Sequence, residues 1–247
     1  TLRDGESAGA LATYLLDLGF GDSNLHILEA LGGPRTRHRS TLAKDYNLKD
    51  VIHPVMVAIH VHGCKAVSLT NGQDDGVFKN DGQITKRPVR ALTLSALAPR
   101  AGERLWDIGS GSGSIAIEWL LCHPDCNAIS VEKNQSRSQN IISNAKNLGA
   151  DRLQVVTGVA PGCLKNLPIP NAVFIGGGLS NELLNSLELL LPKGTRVIAN
   201  AVTIESEAIL TGWHHRMGGE LMRIDLSQAE PLGSKRGWKA AYPIVQW

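Results

Sequence analysis

Two carboxylates and a glycine-rich turn form the clearest chemical pattern in the chain. An apolar run over residues 105–108 contains Asp107, and Gly109, Gly111 and Gly113 follow it at alternate positions. Apolar residues at helical spacing come next, which is typical of a strand, a tight turn and a helix. Glycines let the turn approach a ligand closely, and the start of the helix offers free backbone N–H groups. The pattern therefore predicts a cofactor site at this turn.

The spacing and the acids distinguish two classes of cofactor. Dinucleotide sites use Gly-x-Gly-x-x-Gly with a pyrophosphate on the helix N-terminus, whereas the sixth position here is Ser114. Asp107 would repel a pyrophosphate but suits an ammonium group, such as that of S-adenosylmethionine. Glu132 ends the next apolar run, about 20 residues on, where an adjacent ribose would present its hydroxyls. The block resembles the cofactor site of the seven-stranded S-adenosylmethionine-dependent methyltransferases; the alternative is a turn that only packs the helix on its strand.

Alternating strands and helices around this turn predict a doubly wound sheet. We expect parallel strands at 105–109, 128–132, 153–157, 172–176 and 196–201, and helices near 114–122, 135–148, 164, 181–191 and 204–217. Two last runs, 220–226 and 239–246, should pair antiparallel at the sheet edge and complete seven strands. Residues 228–237 between them are too long for a tight hairpin turn, which favours a long connection serving a site. The predicted fold class is α/β, a doubly wound, Rossmann-like methyltransferase sheet preceded by an α/β fragment.

The front of the chain has a different pattern. We predict a helix from Ala8 to a C-cap at Gly19, strands at 25–31 and 54–61, and a basic loop at 35–39. Residues 1–5, this helix and the run 28–34 resemble the second half of a tetrapyrrole methylase domain, the kind that methylates carbon 5 of precorrins. That family holds its cofactor between two halves, and the first half is absent from this sequence. We therefore expect residues 1–65 not to perform that reaction alone.

Composition narrows the class of partner. The net charge is +2 and 19% of residues are charged, so nothing global indicates nucleic acid or a membrane surface. No apolar run approaches membrane-spanning length, which favours a cytoplasmic protein. The four cysteines lack paired metal spacing, so we expect reduced thiols and no metal site.

The composition shift at 63–82 predicts a partial methylase domain at 1–65, a linker at 66–80 and the cofactor-binding domain at 81–247.

The whole second part resembles the precorrin methyltransferases that methylate carbon 15 and decarboxylate the acetate on carbon 12. The domain order resembles the fused, bifunctional, decarboxylating precorrin methyltransferases of cobalamin (vitamin B12) biosynthesis. The strings that carry the resemblance are Asp81–Lys86, Asp107–Ser114, Gly158-x-Ala160-Pro161, Phe174–Gly178 and Asn200–Thr203 with Glu205. The chain departs from the pattern at Val159, where an acid is expected, so a carboxylate near the adenine is predicted to be missing.

The resemblance implies three groups of site residues. The group expected to hold S-adenosylmethionine is Gln83, Thr85, Asp107, Gly109, Ser110, Gly111, Gly113, Ser114, Glu132, Lys133, Gly158, Val159, Ala160 and Gly176. The group expected to meet the tetrapyrrole and its carboxylates is Lys86, Arg87, Arg90, Gly177, Gly178, Lys235 and Arg236. The residues expected at the reacting atoms are Asn200, Thr203 and Glu205, of which Glu205 is the candidate acid and has a structural role as its alternative.

Two other functions stay open at this point. One is a methyltransferase of the same fold acting on tRNA or protein, although three Tyr, three Phe and a balanced charge argue against a nucleic-acid surface. Asn200 also lacks the Pro-Pro-aromatic sequence of amino-group methyltransferases. The other is a cofactor-binding subunit without turnover. The expected partner is a tetrapyrrole, with no nucleic acid and no membrane, and the expected assembly is a homo-oligomer, with a tetramer suspected.

Overall fold

The computed structural model describes residues 1–63, 68 and 70–247, and the chain divides into two compact units, 1–67 and 68–247. Cys64, and parts of the segments predicted as the methylase domain and the linker, lie outside the described residues. The other three cysteines, Cys122, Cys126 and Cys163, are free thiols. No helix in the described part of the chain combines the length and the apolar character needed to cross a membrane.

The first unit is one helix on a three-stranded antiparallel sheet. It comprises α1 (Glu6–Asp17), β1 (Asn24–Glu29), β2 (Arg37–Leu42) and β3 (Val55–His60), in the sheet order β2-β1-β3. Alternate residues of β1 are buried, and they pack with the small buried residues Ala8 and Ala12 of α1. The predicted helix and the strands at 25–31 and 54–61 are confirmed.

The predicted basic loop at 35–39 is wrong, because most of it belongs to β2. Glu29 on β1 is fully buried, and its carboxylate accepts hydrogen bonds from Arg37 and Arg39 of the neighbouring strand. These bonds lower the pKa of Glu29 to about 2 against the opposing effect of burial. A buried carboxylate needs such partners, which explains why a strand of this unit is so basic.

The second unit contains the predicted doubly wound sheet. Its elements are α2 (Arg87–Leu97), β4 (Arg104–Ile108), α3 (Ser114–Cys122), β5 (Asn127–Glu132), α4 (Gln135–Asn147), β6 (Gln154–Thr157), β7 (Ala172–Ile175), α5 (Asn181–Leu190), β8 (Arg196–Ala201), α6 (Ile204–Met217), β9 (Met222–Ile224), β10 (Ser227–Leu232), β11 (Lys235–Ala240) and β12 (Ile244–Gln246). The seven-stranded sheet has the order β6-β5-β4-β7-β8-β12-β9. Strands β6, β5, β4, β7 and β8 are parallel, and β12 is antiparallel to both β8 and β9.

Apolar side chains cover both faces of this sheet, as a mostly parallel sheet requires. One core contains Leu105, Trp119 and Phe174, and the other contains Trp106, Ile108 and Val173. Successive residues of β4 therefore enter opposite cores, which explains why the strand reads as a continuous apolar run. The helix predicted near Leu164 is only a short 3₁₀ turn, Gly162–Leu164.

The expectation of a long connection at residues 228–237 is wrong. Residues 228–237 lie in a β-hairpin formed by β10 and β11, which pair through a two-residue turn at Gly233 and Ser234. Within the predicted linker, Phe78 is buried in the core beside Leu94 and Leu97. That part of the segment is therefore packed on the second unit.

Candidate functional site

The glycine turn lies at the carboxyl end of β4, where parallel sheets bind ligands. Gly109, Gly111 and Gly113 have φ values of 69°, 58° and 76°, which favour glycine at each position. A side chain at Gly109 would lie 2.6 Å from the backbone of Gly177, and one at Gly113 would lie 2.7 Å from Ile141. The glycines are thus required both by backbone conformation and by close packing against the turn after β7 and against α4.

Asp107 lies beneath this turn with a carboxylate that is only half satisfied. The residue is 1% exposed; Oδ2 accepts a hydrogen bond from Ala116 N at 3.2 Å, and Oδ1 has no partner among the described residues. Burial raises the pKa of Asp107 to about 7. Buried oxygens of carboxylates are normally bonded, so Oδ1 marks a position for an incoming donor. An ammonium group satisfies that oxygen and favours the ionised form.

Glu132 connects the glycine turn to the next loop. Its Oε2 accepts from Gly111 N and its Oε1 from Asn134 N, both at 3.0 Å, and the residue is 4% exposed. Asn134 in turn caps α4 by accepting from Ser136 N and Arg137 N. The carboxylate therefore holds the turns after β4 and β5 together, and each oxygen keeps a lone pair for a ligand hydroxyl.

A segment from the front of the second unit crosses the glycine turn; we refer to residues 79–85 as the strap. Its first residue is held by Asn144 on α4, whose Oδ1 accepts from Lys79 N at 2.8 Å and whose Nδ2 donates to Lys79 O at 2.9 Å. Further along, a side chain at Gly111 would lie 3.0 Å from the carbonyl oxygen of Gln83. The structure thus brings Gln83 to the turn, and Thr85, half-buried, ends the strap.

Arg90 does not have the substrate-binding position predicted for it. Its side chain is fully buried and forms ion pairs with Glu118 of α3 and with Asp75. The same guanidinium donates to the carbonyl oxygens of Gln73 and Thr85. Arg90 therefore anchors the segment before α2 and has no surface toward a substrate.

The remaining basic residues of this region are accessible. Arg87 is exposed, and the Lys86 ammonium is exposed with Asp75 Oδ2 at 3.8 Å. Because α2 leads to the start of β4, its first turn lies at the same edge of the sheet as Asp107. Both cations are therefore placed where a ligand carboxylate at that edge can reach them.

Asn200 near the end of β8 belongs to a buried polar network. Its Nδ2 donates to Thr93 Oγ1 at 3.0 Å, and Gln246 Nε2 donates both to Asn200 Oδ1 at 2.9 Å and to Thr93 Oγ1 at 3.0 Å. Thr203 is exposed and caps α6 by accepting from Ser206 N at 3.2 Å. Asn200 is the only one of these two whose side chain is fixed by long-range contacts.

Glu205 is a poor proton donor at neutral pH in this structure. The residue is exposed, and its own backbone N–H and the Thr203 hydroxyl lower its pKa. A carboxyl group with a lowered pKa is ionised at neutral pH and has no proton to give. These contacts favour the alternative, structural role of Glu205 as a first-turn acid at the N-terminus of α6.

The glycines after β7 have a packing role as well as an accessible surface. A side chain at Gly176 would lie 2.8 Å from the Phe174 ring and 3.3 Å from Gly109 O, and Gly177 packs on the backbone of Gly109. Gly178 has a φ of 74° and open space around it. The triple glycine thus lets two turns pack back to back, and Gly178 is the member with room for a ligand.

The other predicted cofactor residues line the same edge. Ser110 Oγ donates to Asp107 O at 2.6 Å, Ser114 is buried at the start of α3, and Lys133 is exposed after Glu132. At the end of β6, Gly158 N donates to Glu132 O at 2.9 Å, so the loop 158–160 joins the site through β5. Val159 is 68% exposed and Ala160 is half-buried. A large apolar side chain with that exposure is available to cover a flat ligand.

Lys235 and Arg236 are exposed in β11, next to the hairpin turn. Ala201, the last residue of β8, pairs with Val245, and Ile244 pairs with Ile224. Strand β12 therefore begins, and β9 ends, at the carboxyl edge of the parallel strands. The hairpin between them leaves the sheet at the same edge as the glycine turn. This position is compatible with the predicted role of the hairpin in substrate binding.

The sequence reasoning missed several residues that build this site: Glu118, Arg137, Asn144, Thr93 and Gln246. Glu118 is the one charged residue in the mostly apolar α3, and Asn144 lies on the buried face of α4, three residues after Ile141. Their partners, such as Gly72 and Lys79, are distant in sequence and could not be identified from it.

Comparison with known proteins assigns the second unit to one family. The model of the precorrin methyltransferase domain family matches residues 76–247. A crystal structure of the C-terminal domain of precorrin-6Y C5,15-methyltransferase from Rhodobacter capsulatus has 53% identity and a TM-score of 0.71; the match covers 73% of this chain and 98% of that one.

Two curated relatives extend the comparison. A Sinorhizobium protein named precorrin-6Y C(5,15)-methyltransferase [decarboxylating] is 49% identical over 99% of this chain and 60% of its own length. The chain thus spans about three-fifths of that relative. A Salmonella typhimurium protein named cobalt-precorrin-6B C(15)-methyltransferase (decarboxylating) is 26% identical over 65% of this chain and 85% of its own length.

Proposed function

The chain belongs to the precorrin methyltransferase domain family, and from this membership we propose that it methylates carbon 15 of a precorrin and decarboxylates the acetate on carbon 12. The methyl donor in this proposal is S-adenosylmethionine, and the pathway is cobalamin biosynthesis. The Salmonella relative, whose name specifies both methylation at carbon 15 and decarboxylation, supports the pairing of the two reactions. The reaction would take place in the cytoplasm.

The observation that carries the cofactor assignment is the unpartnered Oδ1 of the buried Asp107 beside the glycine turn. Its raised pKa fits a carboxylate that is completed by a cationic ligand. Asp107 would hold the amino group, Glu132 the ribose hydroxyls, and Gly158, Val159 and Ala160 the adenine. When bound, the sulfonium supplies an electrophilic methyl group.

The protein's share of the methyl transfer is positioning, because a sulfonium needs little acid–base catalysis. Lys86, Arg87, Lys235 and Arg236 are exposed cations at the carboxyl edge, and we propose that they pair with the carboxylates of the tetrapyrrole. Gly178 offers room for the macrocycle, and Asn200 offers a carboxamide held by Thr93 and Gln246. In the decarboxylation, carbon dioxide leaves, the electron pair of the breaking C–C bond passes into the conjugated macrocycle, and a proton from water replaces the lost carboxylate.

We also propose that the chain forms a homo-oligomer, with a tetramer as the first candidate. The β10–β11 hairpin has exposed residues on both faces, and its Trp238 is 80% exposed. Large exposed aromatic side chains on a projecting arm are typical of association surfaces. Light scattering coupled to gel filtration tests this point, and a monomer at micromolar concentration would contradict it.

The function is tested by incubating the purified chain with S-adenosylmethionine and a reduced precorrin-6, followed by mass spectrometry of the pigment. We expect the pigment to gain one methyl group and lose one carbon dioxide. Methylation of added tRNA or protein with no change in the pigment would favour the methyltransferase alternatives. Cofactor binding by calorimetry with no turnover on any of these substrates would favour a binding subunit.

A further inference from the structure

One ion pair links the middle of the strap, which crosses the glycine turn, to helix α4. Arg137 Nε donates to Asp81 Oδ2 at 2.8 Å, and the two side chains are 28% and 44% exposed. This contact lowers the pKa of Asp81, so the carboxylate is charged at neutral pH. Asp81 lies on the strap, whereas Arg137 lies in the first turn of α4, directly after the loop that follows Glu132.

The other attachments of the strap lie at its ends. Asn144, itself 1% exposed, holds Lys79 at the start and also donates to Ser112 O at 2.9 Å in the glycine turn. The buried Arg90 holds Thr85 O at the end. Residues 80–83 between these two anchors are exposed. Their side chains and N–H groups form local turn bonds, including Asn80 Nδ2 to Phe78 O, and the Gln83 carbonyl packs on Gly111. The Asp81–Arg137 pair is the ion pair that links this exposed stretch to α4.

We propose that Asp81 and Arg137 are positioning residues that hold the strap closed on the bound cofactor and so set its rate of release. This inference rests on the proposed cofactor site. The pair joins two of the segments that border the glycine turn, the strap and the first turn of α4, which follows Glu132 and its loop. Opening the strap between its anchors breaks this pair without disturbing the buried contacts of Asn144 and Arg90. The ion pair is exposed, so its effect is bounded by the small strength of surface pairs.

The measurement is the dissociation rate of S-adenosylmethionine and S-adenosylhomocysteine from the immobilised full chain by surface plasmon resonance. Asp81→Asn keeps the Oδ1 acceptor for Gln83 N and removes the charge, and Arg137→Gln removes the other charge. We expect each variant to release both ligands about two- to fivefold faster, since a surface pair contributes up to about 1 kcal/mol. The double variant Asp81→Asn/Arg137→Gln should be no faster than either single variant.

Two further results distinguish closure of the strap by the Asp81–Arg137 pair from a general structural effect of the substitutions. The swapped pair Asp81→Arg/Arg137→Asp should recover most of the wild-type rate, and 1 M salt should accelerate release from the wild type but not from the single variants. Glu188 on α5 forms an exposed ion pair with Arg216 on α6. Glu188→Gln breaks that pair, serves as the matched control and should keep the wild-type rate.

Wild-type release rates in both single variants, or additive effects in the double variant, would overturn the inference. So would a swapped pair that releases the ligands as fast as the single variants. Failure of the proposed function looks different, because then the wild-type chain itself would not bind these ligands or would not methylate a precorrin.

Discussion

Asn144 holds Lys79 with both ends of its carboxamide: its Oδ1 accepts from the Lys79 N–H and its Nδ2 donates to the Lys79 carbonyl oxygen. A second N–H of Asn144 reaches Ser112 O in the glycine turn. One buried side chain on α4 thus fixes both the strap and the glycine turn, although Lys79 lies 65 residues away in the sequence.

Replacement of Asn144 by Ala should destabilise the chain and weaken cofactor binding together. The change removes the partner of three backbone groups, Lys79 N, Lys79 O and Ser112 O, in buried or partly buried positions, at a cost of about 2–3 kcal/mol. Urea unfolding measures the stability and calorimetry the cofactor affinity. Asn147→Ala, an exposed position on the same helix, is the control and should stay within about 0.5 kcal/mol of the wild type. Unchanged stability of Asn144→Ala would show that water replaces the bonds.

Replacement of Arg90 by Met should unfold the segment before α2 instead of raising the KM for substrate. Glu118 would still accept hydrogen bonds from the backbone N–H groups of Gly72 and Gln73, but its buried carboxylate would lose its counter-charge. Breaking a buried pair on one side costs about 3–5 kcal/mol. Arg87→Met, at an exposed position of the same helix, should leave stability nearly unchanged. A stable Arg90→Met variant with impaired substrate binding would restore the original prediction.

Cofactor affinity should depend on pH through Asp107. Its pKa is raised to about 7, so the carboxylate that we propose to pair with the cofactor ammonium is largely protonated below that pH. We expect binding to be about tenfold weaker at pH 6 than at a pH well above 7, since one unit below its pKa only about a tenth of an acid is ionised. Calorimetry in buffers of different ionisation heat should show proton release on binding near pH 7. A flat affinity between pH 6 and 8 would contradict the assignment.

Asp107 should also make the ligand-free chain less stable as the pH rises. Its pKa is higher in the folded state than the ordinary value of 3.8, so between about 4 and 7 the folded state holds a proton that the unfolded state has lost. Stability therefore falls with rising pH in that window, by an amount on the order of 4 kcal/mol. Asp107→Asn should remove this fall while abolishing cofactor binding. Ser130→Ala, a fully buried neighbour on β5, should keep the wild-type pH slope.

The double change Lys235→Gln/Arg236→Gln should raise the KM for the tetrapyrrole and leave the Kd of the cofactor unchanged. Both side chains are exposed on the hairpin at the edge that carries the cofactor turn, so each lost carboxylate contact should cost about fivefold in KM. Steady-state kinetics with varied pigment concentration measures this effect. Lys239→Gln, which breaks only the pair with Glu230 on the same hairpin, should behave as the wild type. An unchanged KM in the double variant would remove the hairpin from the substrate site.

The doubly wound sheet could be predicted because its signals are local. The apolar run of β4, the glycine turn and the helix after it are consecutive in the chain, and Asp107 and Glu132 follow from their places at strand ends. The same logic failed for residues 35–39, where the partner that makes β2 a strand, the buried Glu29, lies on another element. A run of basic residues whose partner is distant in the sequence has the local pattern of a loop.

The sequence by itself determined the fold class, the place of the glycine turn and the carboxylates next to it, because strand periodicity and glycine spacing depend on neighbouring residues. Only the tertiary structure decided which cations are exposed and which are buried. Arg90 and Lys86 stand four residues apart in one basic string, yet Arg90 is buried against Glu118 and Lys86 is exposed. That difference depends on contacts between residues far apart in the chain, and on burial, which local sequence patterns do not record.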